Sequence, residues 1–317
     1  MNAPRILIIG ANGQIGSELT ELLVARYGAA AVVTGDLSAR GRVPGVAHEA
    51  LDVTDGDGLA DIVRRHGSTH IYNLAAVLSA SGEAQPRRAW DLNMSGLLNV
   101  LELARTGAIE RVFWPSSVAA FGPRTPADHT PQDSVMDPGT VYGISKLAGE
   151  RWCAWYHARH GVDVRSLRYP GLISWKTPPG GGTTDYAVEI FHAAAQGRPY
   201  TCFLEGGQML PMMYMPDALR ATLELMEAPA AAIGQRDSYN LAGMSFTPVE
   251  LAAAIARRRP GFTMRCKPDF RQQIAASWPR SIDDSVARRD WGWQPRYDLE
   301  AMVEDMLANL APGRAQA

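Results

Sequence analysis

The chain has 317 residues, with 31 basic and 33 acidic side chains interspersed and a formal charge of −2. It has no basic stripe for nucleic acid and no acidic tail, and no apolar run approaches the roughly 20 residues needed to cross a bilayer. Cys153, Cys202 and Cys266 are scattered and the histidines form no metal-binding spacing, which argues against a disulfide framework or a metal centre and for reduced thiols in a cytoplasmic protein.

The first strand-like run covers residues 5–10. It starts so near Met1 that a secretory leader is not expected. It leads into Gly10-Ala11-Asn12-Gly13-Gln14-Ile15-Gly16, and Leu19, Leu22, Leu23 and Arg26 then set a helical period over 14–27. Glycines between a strand and a helix suit a phosphate-binding turn. Gly10 permits the tight turn, Gly13 admits a pyrophosphate to the backbone, and Gly16 lets helix and strand pack closely. A second apolar strand is predicted over 30–35, and Asp36 follows it, 20 residues beyond Gly16. A carboxylate there accepts hydrogen bonds from an adenosine ribose and repels a 2′-phosphate, which favours NAD over NADP. Arg40 works the other way, since a guanidinium can receive that phosphate.

Strands at 46–51, 70–75, 111–116 and 163–169 then alternate with helices at 55–66, 88–105, 141–160 and 184–196. That order predicts an α/β fold, a doubly wound Rossmann-type parallel sheet with helices on both faces. Residues 1–170 are read as an NAD-binding domain. Residues 171–317 are read as mainly a smaller substrate-binding lobe, with a later strand near 236–242 available to the sheet. After about residue 198 the strands become short and isolated, and Thr247-Pro248-Val249-Glu250 reads as a capping box with proline at the first helical position.

Tyr142 and Lys146 lie four apart in the 141–160 helix, on one face and one turn apart. A phenol titrates near pH 10, too high for a base at neutrality. An adjacent ammonium, aided by a positive nicotinamide, is expected to stabilise the phenolate so that Tyr142 takes a proton from a substrate alcohol. Ser117, at the carboxyl end of the 111–116 strand, can hold the reacting oxygen against Tyr142. Ser116 and Ser117 can equally satisfy loop backbone groups.

Taken in order, Gly10-x-x-Gly13-x-x-Gly16, Asn73-Leu74-Ala75-Ala76, Ser117 and Tyr142-Gly143-Ile144-Ser145-Lys146 resemble the extended short-chain dehydrogenase/reductase superfamily. Within it, Leu167-Arg168-Tyr169-Pro170-Gly171-Leu172-Ile173-Ser174, followed by Gly180-Gly181-Gly182-Thr183-Thr184-Asp185-Tyr186, resembles the short-chain family of L-threonine 3-dehydrogenases. The resemblance runs over nearly the whole chain. Many extended members carry histidine where this chain has Asn73.

The resemblance implies NAD-dependent, metal-independent oxidation of the threonine 3-hydroxyl to 2-amino-3-oxobutanoate. Ser117 would polarise the hydroxyl, Tyr142 would act as base, and Lys146 would bind the nicotinamide ribose. The glycine turn with Asn12, Gln14 and Ile15 would hold the cofactor together with Asp36, Asn93 and Ser116. Asp52 and Val53 would meet adenine, Leu74, Ala75 and Ala76 the adenosine ribose and pyrophosphate region, and Tyr169, Pro170 and Leu172 the nicotinamide. Asp52 reads equally well as a cap near a helix starting at Thr54.

Substrate contacts are expected from Ser79, Ser117, Tyr142, Thr184 and Trp278, with Gly180–Gly182 as a hinge. Thr184 also reads as a plain helix cap, and Trp278 as core. The family resemblance, with Trp90, Leu97, Leu101, Trp152 and Tyr156 as surplus apolar surface, implies a homodimer joined through helices 88–105 and 141–160. The rival reading is a nucleotide-sugar epimerase or dehydratase. Such enzymes usually place an arginine where this chain, aligned on Asp217, has Leu210, and a site without that charge should bind a diphosphate poorly.

Overall fold

The computed structural model describes residues 3–178 and 180–311. Strands β1 (Ile6–Ile9), β2 (Val32–Asp36), β3 (Ala47–Ala50), β4 (His70–Asn73) and β5 (Arg111–Phe113) precede the shorter β6 (Ser116–Ser117), β7 (Val164–Arg165), β8 (Leu167–Tyr169) and β9 (Gly171–Ile173). Between them lie helices α1 (Gln14–Tyr27), α2 (Gly56–His66), α3 (Ser79–Ala84), α4 (Pro86–Arg105) and α5 (Val141–His160). The main sheet is parallel throughout and runs β3-β2-β1-β4-β5-β7. This is the expected doubly wound fold.

Alternation along β1 shows how both faces are covered. Ile6 and Ile8 pack with Leu19 and Leu23 of α1, whereas Leu7 and Ile9 pack with Leu59, Ile62 and Val63 of α2 and Leu97 and Leu101 of α4. Side chains of period two on a sheet enclosed by helices give this result directly.

Two expected strands are divided. The 111–116 run breaks after Phe113 because Pro115 has no N–H to continue the ladder. Ser116 and Ser117 instead pair with Arg168 and Tyr169 of β8, and the 163–169 run is correspondingly split into β7 and β8. These pairs open a small parallel sheet, β6-β8-β12, where β12 is Tyr239–Asn240.

The later part of the chain adds α6 (Tyr186–Ala195), β10 (Tyr200–Cys202), β11 (Leu210–Tyr214), α7 (Met215–Glu227), β13 (Met244–Phe246), α8 (Pro248–Arg258), β14 (Met264–Cys266), α9 (Arg271–Ala276), α10 (Ser285–Trp291) and α11 (Leu299–Asn309). The capping box at Thr247 is present, with both reciprocal hydrogen bonds. Helix α7 packs on α1 and so covers the main sheet, while α6, α8 and α11 enclose a separate core around Phe191, Phe246, Ile255 and Met306.

The nominated homodimer surface is partly internal. Leu97, Leu101 and Tyr156 are buried within the subunit, so the apolar surface left exposed on α4 and α5 is Trp90, Ile144, Trp152 and Trp155. Among the described residues no helix is long and apolar enough to cross a membrane.

Candidate active site

Strand order reverses between β1 and β4, and the two sides of this switch point diverge at their carboxyl ends, where open α/β sheets bind ligands. The glycine turn fills that position under tight steric limits. Gly10 has φ +76°, and a Cβ there would sit 2.8 Å from the Ala75 backbone nitrogen; one on Gly16 would lie 2.3 Å from the Gly10 carbonyl oxygen. Gly13 caps α1 without any side-chain acceptor, and the first turn carries no acidic residue. Among the described residues the helix therefore presents N–H groups without a side-chain cap, and its positive end, to the cleft. The Gln14 side-chain amide nitrogen is buried there without a partner among the described residues. A cradle that excludes any Cβ, beside orphaned donors, fits a dinucleotide pyrophosphate.

Asp36 closes β2 beside this turn. Its carboxylate accepts from the Asn12 backbone N–H at 3.0 Å and from that of Ser38 at 3.3 Å. The Asn12 side chain donates to the Arg40 carbonyl at 2.9 Å and accepts from the Arg42 N–H at 3.1 Å, fixing the loop after β2. A hollow next to Asp36 is lined by Gly10, Gly13, Asp52, Val53, Leu74, Ala75 and Ala76, as an adenosine site requires. Asp52 is not the helix cap. It accepts from the Thr54 N–H and hydroxyl at 2.9 and 2.7 Å, which hold its carboxyl below the usual range, while Asp55 caps α2 through Gly58.

A second cavity lies across the switch point. Tyr142, Lys146, Ser116, Ser117, Tyr169, Pro170 and Leu172 line one continuous cavity, joined by Gln14, Ile15, Leu74, Ala76, Ser79, Thr184 and Trp278. Helix α5 places Tyr142 and Lys146 because Thr140 caps its start through Gly143 and Gly161, left-handed at φ +69°, ends it. Lys146 is 3 % exposed and donates from Nζ to the Pro115 carbonyl at 2.6 Å. The same nitrogen lies 4.4 Å from the Trp114 ring centre and 5.4 Å from that of Tyr142.

Electrostatics here differ from the expectation of an acidified phenol. Burial pushes the Tyr142 hydroxyl up to about 12, opposed only by a hydrogen bond with Ser117. Burial also pushes Lys146 down to about 7, against the attraction of Glu150. Burial raises the cost of charging both groups, and the Lys146 ammonium is directed at the Pro115 carbonyl rather than at the phenol. Burial therefore favours the neutral phenol.

The remaining nominated residues divide by role. Ser117 accepts from Ala119 N–H at 3.2 Å and also faces Tyr142. Ser116 instead donates to Glu150 at 2.6 Å. Asn93 is buried and bridges Val77 to Ser145, so it supports the loop between β4 and α3 rather than lining the cavity. The Tyr169 hydroxyl bonds Thr222, leaving its ring toward the cleft. Ser79 shares a hydrogen bond of 3.2 Å with Thr183. Helix α6 begins at Tyr186 and not at Thr184; Asp185 holds the preceding turn by accepting from Gly181 and Gly182 N–H at 2.8 and 2.7 Å. Trp278 both lines the cavity and packs in the later core, so its two readings hold together.

Three participants were not anticipated: the Pro115 carbonyl, Glu150 and Arg168. A charged residue inside an apolar strand, as Arg168 is, signals a buried partner. Glu150 continues the four-residue spacing of Tyr142 and Lys146.

This arrangement defines a class, a dinucleotide-dependent oxidoreductase fold in which Ser117, Tyr142 and Lys146 meet at one cavity. Comparison with known proteins agrees. The description "NAD dependent epimerase/dehydratase family" matches residues 6–242. A curated relative from Staphylococcus aureus, described as an uncharacterized epimerase/dehydratase, is 47% identical over 96% of this chain and 95% of its own. The holo form of a GalE-like L-threonine dehydrogenase from Cupriavidus necator is 66% identical, covering 97% of this chain and all of that one, with a TM-score of 0.96. L-threonine dehydrogenase from Clostridium difficile is 44% identical over 98% of each chain, with a TM-score of 0.95.

The chain belongs to the NAD dependent epimerase/dehydratase family, and its cofactor is NAD. A UDP-glucose 4-epimerase from Thermotoga maritima, 21% identical with a TM-score of 0.83, shares the fold.

Proposed function

We propose that this protein oxidises the 3-hydroxyl of L-threonine to 2-amino-3-oxobutanoate, as a homodimer acting in cytoplasmic threonine breakdown. The observation that carries the reading is the convergence of Ser117, Tyr142 and Lys146 on one cavity, walled by Ser79, Thr184 and Trp278. Ser117 holds the substrate hydroxyl against Tyr142, and Tyr142 takes its proton as the C3–H bond breaks. Lys146 stands one helical turn from the phenol and is positioned to reach a ribose hydroxyl. NAD, when bound, supplies the hydride acceptor and the additional positive charge that makes the phenolate accessible. The Asp185 carboxyl at the cavity edge and the Thr184 hydroxyl offer an acceptor and a donor for a zwitterionic substrate.

Likeness to two L-threonine dehydrogenases at 44–66% identity supports this choice over the sugar-nucleotide chemistry of the wider family. So does Leu210, which is fully buried in β11 where epimerases usually carry a diphosphate-binding arginine. Nearby Asp217 is engaged by Arg220 and by the backbone of Arg296 and Tyr297. Exposed Trp90, Ile144, Trp152 and Trp155 on α4 and α5 offer the face for a second copy.

The test is a panel of 3-hydroxy amino acids and UDP-sugars, read as reduced nicotinamide. L-threonine should give the fastest reduction of NAD. No signal with threonine, alongside turnover of a UDP-sugar, overturns the reading in favour of the epimerase class.

A further inference from the structure

Helix α5 meets the turn after β5 at three consecutive points. Tyr142 bonds Ser117, Lys146 donates to the Pro115 carbonyl at 2.6 Å, and Glu150 accepts from Ser116 at 2.6 Å. The three helix residues are spaced by four, so they rise along one face. Glu150 has no solvent exposure and Arg168 has 1 %. Arg168 grips both Glu150 oxygens at 2.9 Å, and also donates to the Gln132 carbonyl and the Asn240 side chain at 3.0 Å. A buried ion pair contributes little net stability compared with apolar packing, which leaves its retention to be explained by position.

We propose that Glu150 is a positioning residue of the reacting end: through Ser116 it fixes the turn that presents Ser117 and Pro115, and it supplies the negative charge behind Lys146. This rests on the proposed role of Ser117, Tyr142 and Lys146 as the reacting set. Lys146 is faced along α5 by Tyr142, Glu150 and the Cys153 thiol. Beyond Glu150 stand Arg168 from β8, Asp133, and Asp237, the last at 3.8 Å from Arg168 and 3.6 Å from Arg151.

Two substitutions separate geometry from charge. Ser116→Ala removes one hydroxyl and no charge. It should lower kcat about tenfold and leave both limbs of the pH–rate profile in place. Glu150→Gln removes a negative charge while Arg168 stays positive, so phenol and ammonium both give up protons more readily. Both limbs should move to lower pH, by about one unit. Glu150→Asp should return them.

The Lys146 titration, followed by NMR on 13C-labelled lysine without substrate or cofactor, should move in the same direction. That measurement distinguishes failure of this proposal from failure of the threonine reading, which would appear as a wild-type protein inert toward threonine. Wild-type kcat in Ser116→Ala overturns the proposal whether or not Glu150→Gln folds. Unmoved limbs and an unmoved Lys146 titration in folded Glu150→Gln do the same.

Discussion

The two ends of the cleft are built from different materials. The adenosine end is mostly backbone: glycines that exclude a Cβ, free N–H groups at the start of α1, and one carboxylate held by the Asn12 and Ser38 amides. The reacting end is mostly buried side chains, with Lys146, Glu150, Arg168 and Ser116 each at 3 % exposure or less. Backbone recognition requires little desolvation of charge and tolerates an open hollow. Proton transfer depends on how groups ionise, and burial shifts both: it moves Lys146 down toward neutrality and Tyr142 up, away from it. Binding and chemistry should therefore be separable by substitution.

The largest effect should come from Tyr142→Phe, which deletes the proton acceptor and leaves the adenosine end intact. Turnover should fall about a thousandfold while the NAD dissociation constant, measured by fluorescence titration, changes little. Loss of NAD affinity in this variant would break the division between the ends. A smaller and complementary effect should follow Asp36→Ala. Removing a charged acceptor should raise the NAD dissociation constant about tenfold and narrow the gap to NADP, with kcat at saturation nearly kept. An unchanged preference would move cofactor choice to the Arg40 loop.

Much of the adenosine end was legible because its determinants are local. Glycine spacing, the apolar run before it and an acid after the next strand each act within a few residues, and α1 and α5 occur at the bounds that the helical pattern gave. The divided strands were less legible. Pro115 marks the break, but only pairing with β8, some fifty residues later, shows where Ser116 and Ser117 go. Helix α3 escaped because Ser79-Ala80-Ser81-Gly82-Glu83-Ala84 has no apolar period. The pairing of Glu150 with Arg168 and the dual place of Trp278 depend on tertiary contacts that no local pattern encodes. Leu97, Leu101 and Tyr156 looked like surplus apolar surface because the facing helices that bury them are distant in sequence.

In the proposed reaction, hydride leaves C3 of threonine from a cavity in which Tyr142 takes the hydroxyl proton. Mass analysis of the reduced cofactor after turnover of L-threonine carrying deuterium at C3 tests it most directly. Deuterium is predicted in the reduced nicotinamide; reduced cofactor without the label would contradict the account.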